Sequence, residues 1–205
     1  MTVPVLPYGD RALLLELAQG DDVLAVRDAV AALGVAGIGG LVPAARTLLV
    51  QFDPAVVNAD RLRALLANLP SRPRSGTTPE PLVTLPVAYD GADLAEVARI
   101  VRASVHDVIA WHSAPIYTVA FCGFSPGFGY LRGLDERLHV PRLASPRTRV
   151  PAGSVAIAAE YTGIYPRPSP GGWRLLGRTD APLWDVDGTP PALLAPGTRV
   201  RFEPR

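Results

Sequence analysis

The apolar positions of this chain fall first into helical and short-strand runs, and then, from about residue 116, into short strands separated by Pro/Gly turns. Ala12 to Leu17 predicts a strand. Val23, Val26, Val30 and Leu33 recur at helical spacing, with Asp21 or Asp22 as N-cap and Gly34 as the stop. Ile38 to Val42 and Thr47 to Phe52 predict two strands around a turn at Pro43. Asn58 caps a second helix that puts Leu62, Leu65, Leu66 and Leu69 on one face and ends at Pro70. This β-α-β-β-α order predicts a ferredoxin-like α/β sandwich over residues 1–78. Residues 70–80, rich in Pro, Ser, Thr and Arg, read as a linker.

The second domain, residues 79–205, opens with a predicted strand from Leu82 to Tyr89. Two short helices follow. Asp93 with Glu96 forms an Asp version of the capping box ahead of Leu94, Val97, Ala98 and Val101. Ser104 with Asp107 repeats the device ahead of Val105, Val108, Ile109 and His112. From Ile116 to the last strand, Val200 to Phe202, the regular turn spacing predicts a β-barrel or sandwich. The overall class is α+β.

Residues 93–112 have the outline of a helix-turn-helix, but the second helix has no Arg and its turn no Gly, which argues against phosphate and guanine contacts. Composition agrees, because the formal net charge is only +1. That gives no electrostatic pull toward nucleic acid or an acidic membrane. At 48% hydrophobic the chain can bury a sizeable core. No run reaches the roughly 18 apolar residues of a membrane helix, and residues 1–10 show no signal-peptide pattern. A single Cys122 fits a reducing compartment, so a cytoplasmic location is expected. With one Cys and three scattered His, no metal site is expected.

All 20 basic residues are Arg. Without Lys there is no Walker A loop, no Lys Schiff base and no biotin carried on a Lys. Gly37-Ile38-Gly39 and Gly127-Phe128-Gly129 also lack the later Gly of a dinucleotide loop. No cofactor is therefore expected on this chain, and nucleotide chemistry in its pathway falls to another polypeptide.

The candidate chemistry is concentrated between residues 123 and 173. Ser125-Pro126-Gly127-Phe128 and Ser169-Pro170-Gly171-Gly172 both carry Pro at the second and Gly at the third turn position, the type II signature. Phe124, Phe128, Tyr130, Tyr165 and Trp173 surround these turns. Backbone N–H groups beside flat rings suit a small polar or anionic ligand, so Phe124, Pro126, Gly127, Phe128, Tyr130, Tyr165, Gly171, Gly172 and Trp173 are candidate binding residues. Arg142, Arg147 and Arg149 form either a solvated surface loop or a carboxylate or phosphate site, with Arg147 taken as the binding residue. His112 is a candidate catalytic residue through its closeness in sequence to the glycine-rich segment; its place on the apolar helix face equally fits a core histidine. Ser154 joins it as a hydroxyl able to hydrogen-bond a ligand or a turn, since neither Ser125 nor Ser154 lies in a nucleophile elbow. Cys122 reads as a buried strand residue.

These motifs resemble a known family. Gly123-Phe124-Ser125-Pro126-Gly127-Phe128-Gly129-Tyr130-Leu131 is similar to one hallmark of the allophanate hydrolase subunit 1 family, whose members are also called 5-oxoprolinase B subunits or Kip-type kinase inhibitors. Val150-Pro151-Ala152-Gly153-Ser154-Val155, Thr162-Gly163-Ile164-Tyr165-Pro166 and Pro170-Gly171-Gly172-Trp173 resemble the other. The likeness runs from Tyr8-Gly9-Asp10 to Pro196-Gly197; Ala159 and Tyr161 stand where the family pattern has Gly and Gln, and Cys122 is also non-standard. The resemblance implies a cyclophilin-like β-barrel after the α/β domain. It also implies a homologous subunit 2 protein (the C-type subunit) as partner, possibly a third, A-type subunit, and a complex that uses ATP to open 5-oxo-L-proline to L-glutamate. Its alternatives are an inhibitor that docks on a sensor histidine kinase, or a component of a complex that processes allophanate or another urea derivative.

Overall fold

The computed structural model describes residues 3–18, 22–69 and 82–205, so the expected linker at 70–80 (and likewise the alternative cap Asp21) lies outside the described residues. The chain divides into two compact units, Met1–Pro79 and Glu80–Arg205.

In the first unit, strands β1 (Val5–Pro7), β2 (Ala12–Glu16), β3 (Ile38–Pro43) and β4 (Thr47–Phe52) form one sheet in the order β1-β2-β4-β3, antiparallel throughout. Leu13 and Leu15, with Leu48 and Val50, alternate along their strands and bury one face against helices α1 (Val23–Ala32) and α2 (Ala59–Ala67). Asp22 accepts a hydrogen bond from the Leu24 amide, and Asn58 accepts from those of Asp60 and Arg61, so both caps act as the sequence predicts. The three strands and two helices stand where expected. The fourth strand does not: a ferredoxin-like unit draws it from after its second helix, whereas here β1 precedes β2 and pairs with it. Three residues ending in proline give too short a run for any period to show.

The second unit adds β5 (Leu82–Val87), α3 (Leu94–Val101), α4 (Val105–Ser113), β6 (Tyr117–Cys122), β7 (Gly129–Arg132), β8 (Arg147–Val150), β9 (Ser154–Ala158), β10 (Tyr161–Ile164), β11 (Ser169–Gly171), β12 (Arg174–Arg178) and β13 (Arg199–Pro204). Seven strands run in the order β12-β9-β10-β7-β6-β13-β5, while β8 and β11 make a separate ribbon. Just beyond β5, Ala88 exchanges two backbone hydrogen bonds, of 2.9 and 2.8 Å, with Arg178 on the opposite edge strand β12. That pair nearly closes the sheet, so the unit is a β-barrel and not a sandwich. Val119, Leu131, Val155, Ile157 and Phe202 fill the interior, and Val97 of α3 and Val108 of α4 pack on the same cluster. Each such side chain contributes about 1.5–3 kcal/mol by leaving water.

Strand β9 is buried at all five positions, which places packed layers on both its faces. Val155 and Ile157 belong to the barrel interior. Ala156 and Ala158 belong to a second cluster with Phe128, Val150, Tyr165 and Trp173.

The helix caps divide. Ser104 and Asp107 form the expected reciprocal capping box at α4. Asp93 precedes α3 but makes no side-chain cap; its carboxylate accepts from the Leu175 amide at 2.7 Å and from Arg147 Nη2 at 2.7 Å. A partner from a distant strand displaces the local one.

Candidate functional site

The loop entering β7 is built by Ser125-Pro126-Gly127-Phe128. The Phe128 amide donates to the Ser125 carbonyl at 3.0 Å, and Gly127 takes a φ of +82°. Proline presets the second position and only glycine accepts the third without strain, so this turn is of the expected kind. Its neighbour Phe124 has a φ of +67°, a left-handed conformation that costs a bulky residue energy. Phe124 is also 58% exposed. The strained backbone thus holds an exposed aromatic ring beside an aromatic cavity.

The second Pro-Gly pair is a correction. Pro170 and Gly171 lie in β11, where Ser169 pairs with Val150 and Gly171 with Arg147. Strand pairing with β8 overrides the turn. Gly171 is required for a different reason: a β-carbon there would overlap the Tyr165 hydroxyl and stand 2.8 Å from its Cζ.

Those two segments enclose a cavity of about 90 Å³. Phe124, Phe128, Tyr130, Tyr165 and Trp173 supply its rings, Gly171 and Gly172 its backbone surface, and Arg142 one edge. The rings meet edge to face. Phe128 and Trp173 are 5.5 Å apart at 84°, Phe128 and Tyr165 5.4 Å at 76°, and Tyr130 and Trp173 5.5 Å at 72°. Such pairs add about 0.5–1.5 kcal/mol beyond burial and fix ring orientation. Burial raises the pKa of Tyr165, opposed by a hydrogen bond from the Trp173 backbone and by the positive charges of Arg142 and Arg147. Its hydroxyl therefore stays protonated. Flat walls with few polar groups suit a small planar ligand.

Seven of the ten residues expected to bind ligand line this cavity, and three do not. Pro126 and Gly127 shape the turn, with Gly127 packed beneath Trp184 and Pro166. The Arg147 guanidinium is held by Asp93, which is only 4% exposed. Of the arginine cluster it is Arg142, not Arg147, that lines the cavity; spacing alone does not show which arginine has a buried carboxylate opposite.

The two residues expected to be catalytic, His112 and Ser154, lie away from the cavity lining. His112 is fully buried inside the barrel cluster and does not line the cavity. Its Nδ1 lies 2.7 Å from the Tyr89 hydroxyl and its Nε2 2.9 Å from Thr162 Oγ1. Thr162 donates its own proton to the Ala156 carbonyl at 3.1 Å. It must then accept from His112 Nε2–H, which leaves Nδ1 to accept from Tyr89. Burial pushes the His112 pKa down to about 3, so the ring is neutral and bridges the Tyr89 and Thr162 hydroxyls. Ser154 is buried in β9 and gives its backbone carbonyl to the Tyr165 amide at 3.0 Å; it does not line the cavity either. Cys122 donates to the Leu194 carbonyl at 3.2 Å, and burial raises its pKa. Among the described residues no group of three or more His, Cys, Asp or Glu could hold a metal ion, and no helix is long and apolar enough to cross a membrane.

Known proteins carry the same architecture. Residues 3–194 match the family model described as carboxyltransferase domain, subdomain C and D. The B subunit of 5-oxoprolinase from Haemophilus influenzae is 46% identical over 156 residues, which is 75% of this chain and 70% of that protein. Its counterpart in Escherichia coli O157:H7 is 49% identical over 126 residues, 60% of this chain and 58% of that one. The crystal structure of TTHA0988 superposes with a TM-score of 0.79 at 40% identity, covering 95% of this chain and 40% of that chain. The chain thus spans well under half the length of TTHA0988 and just over half of the Escherichia coli protein. Across nearly all its length, it belongs to the family of carboxyltransferase domains, subdomains C and D.

Proposed function

We propose that this chain is the B subunit of an ATP-dependent 5-oxoprolinase complex, and that the aromatic cavity receives 5-oxo-L-proline. The observation that carries the reading is the cage of Phe124, Phe128, Tyr130, Tyr165 and Trp173, in a chain similar to proteins named as B subunits of 5-oxoprolinase. A five-membered lactam is flat, small and neutral at its amide, which matches the walls.

Amide resonance makes the lactam carbonyl a poor electrophile, so opening it calls for phosphoryl activation before water attacks. The chain has no Lys for a phosphate loop. ATP is therefore handled by another polypeptide of the complex. This chain binds and orients the lactam in a site completed by the homologous C-type subunit, with the A-type subunit as third member. The backbone of Gly171 and Gly172 offers polar surface to charge developing on the carbonyl oxygen. The chain alone is then inactive. A cytoplasmic location, in keeping with the single Cys122, belongs to the same reading.

The alternative, an inhibitor of a sensor histidine kinase, requires an apolar docking face and no small-molecule pocket; the cavity favours the first reading. The test is co-expression with the partner subunits and measurement of ATP hydrolysis with and without 5-oxo-L-proline. Hydrolysis that depends on the lactam and vanishes when this chain is left out supports the proposal. A complex that forms but responds only to a urea derivative such as allophanate replaces the substrate, and absence of any complex overturns it.

A further inference from the structure

The arginines of the second unit differ in one respect that bears on ligand choice. Arg147 is neutralised by Asp93 at 2.7 Å, and Arg174 by Glu96 at 3.0 Å. Arg142 has no carboxylate partner among the described residues, lies exposed, and stands at the edge of the aromatic cavity. Its backbone is fixed on both sides. The Pro141 carbonyl accepts from Arg174 Nε at 3.1 Å, and the Leu143 amide donates to the Gly172 carbonyl at 2.8 Å. Arg174 is itself only 8% exposed, so a buried, paired cation holds the segment that carries the unpaired one.

We propose that Arg142 reads a carboxylate: the cavity takes the flat amide part of a small ligand, and the Arg142 guanidinium pairs with a carboxylate that projects from its mouth. The inference rests on the cavity being the ligand site of the proposed complex. A planar guanidinium fork matches a carboxylate with two parallel hydrogen bonds. The charge of Arg142 already reaches into the site, since it is one of the influences that lower the Tyr165 pKa against the larger effect of burial. A neutral ligand would leave Arg142 in water and gain nothing from it; a carboxylate gains an ion pair with little reorganisation.

Calorimetric titration of the reconstituted complex with 5-oxo-L-proline and with 2-pyrrolidinone, the same lactam without its carboxylate, tests this. The wild-type complex is expected to prefer the carboxylated lactam by about fivefold or more, the scale of a partly exposed ion pair, and the preference should shrink as salt is raised. In Arg142→Met, which keeps an apolar stem, the preference should disappear while 2-pyrrolidinone binding is unchanged; Arg142→Lys should retain part of it. A preference that survives in Arg142→Met overturns the assignment. Phe124→Ala separates the two levels: if it abolishes binding of both lactams while Arg142→Met changes nothing, the site stands and only the role of Arg142 falls. If the wild-type complex binds neither lactam, both fall.

Discussion

Asp93 and Arg147 form an ion pair of 2.7 Å that ties the start of α3 to the β8–β11 ribbon flanking the cavity. The same carboxylate accepts from the Leu175 amide of β12, so one buried group fixes three elements. Asp93→Ala should destabilise the second unit by about 3 kcal/mol, because it strands a largely buried guanidinium and a buried amide together. Asp93→Asn, which can still accept a hydrogen bond, should cost about half as much. All three tryptophans lie within the second unit, so urea unfolding followed by tryptophan fluorescence reads this directly. Equal stability of wild type and Asp93→Ala would remove the pair from the account.

Gly171→Ala should reduce both stability and ligand binding. The added methyl overlaps the Tyr165 hydroxyl and meets Cζ at 2.8 Å, so two groups that line the cavity must shift apart. Overpacking of this kind costs about 1–3 kcal/mol. Adding Tyr165→Phe should recover part of the stability, as measured by urea midpoint; no recovery would mean that the ring is not the obstruction.

Stability should fall on acidification because of His112. The ring is neutral when folded, with a pKa of about 3, against about 6.5 in an unfolded chain. The unfolded state therefore binds more protons between these values, and stability is fully present above about pH 6.5 and declines as pH falls toward 3. From about pH 7 to about pH 4.5 the contribution lost is about 2–3 kcal/mol. His112→Phe should flatten the profile by that amount while lowering stability at neutral pH, since the Tyr89 and Thr162 hydroxyls lose their partner. Parallel profiles for the two proteins would contradict the buried neutral ring.

Ala159 carries a φ of +49° in the turn between β9 and β10. That conformation is costly for a residue with a β-carbon and free for glycine, so Ala159→Gly should stabilise the unit by about 0.5–1 kcal/mol. A lower urea midpoint in the variant would place the effect in the unfolded chain instead.

Local patterns are readable wherever local forces decide. The caps at Asn58 and Ser104 and the turn at Pro126-Gly127 follow from a few adjacent residues, and all three occur. Ala159 stands out in the sequence as a departure from glycine, and the structure shows the backbone reason. Distant partners defeat the rest. Asp93 leaves its helix for Leu175, and Pro170-Gly171 leaves its turn for β8. Arg142 and Arg147 look alike until the carboxylate opposite one of them is seen. His112 lies on an apolar helix face, which is the correct signal for the core; nearness in sequence to the glycine-rich loop is not nearness to the cavity.

The most direct measurement compares kcat/KM for 5-oxo-L-proline in complexes reconstituted with wild type and with Phe124→Ala. Phe128 and Trp173 are buried, so truncating them would cost about 3–5 kcal/mol and confuse folding with function. Phe124 is 58% exposed and can be removed with little effect on stability. If the cavity is the ligand site, kcat/KM should fall by about tenfold or more while the urea midpoint stays within about 0.5 kcal/mol of wild type. Unchanged kcat/KM with a correctly folded variant would contradict the assignment of this cavity.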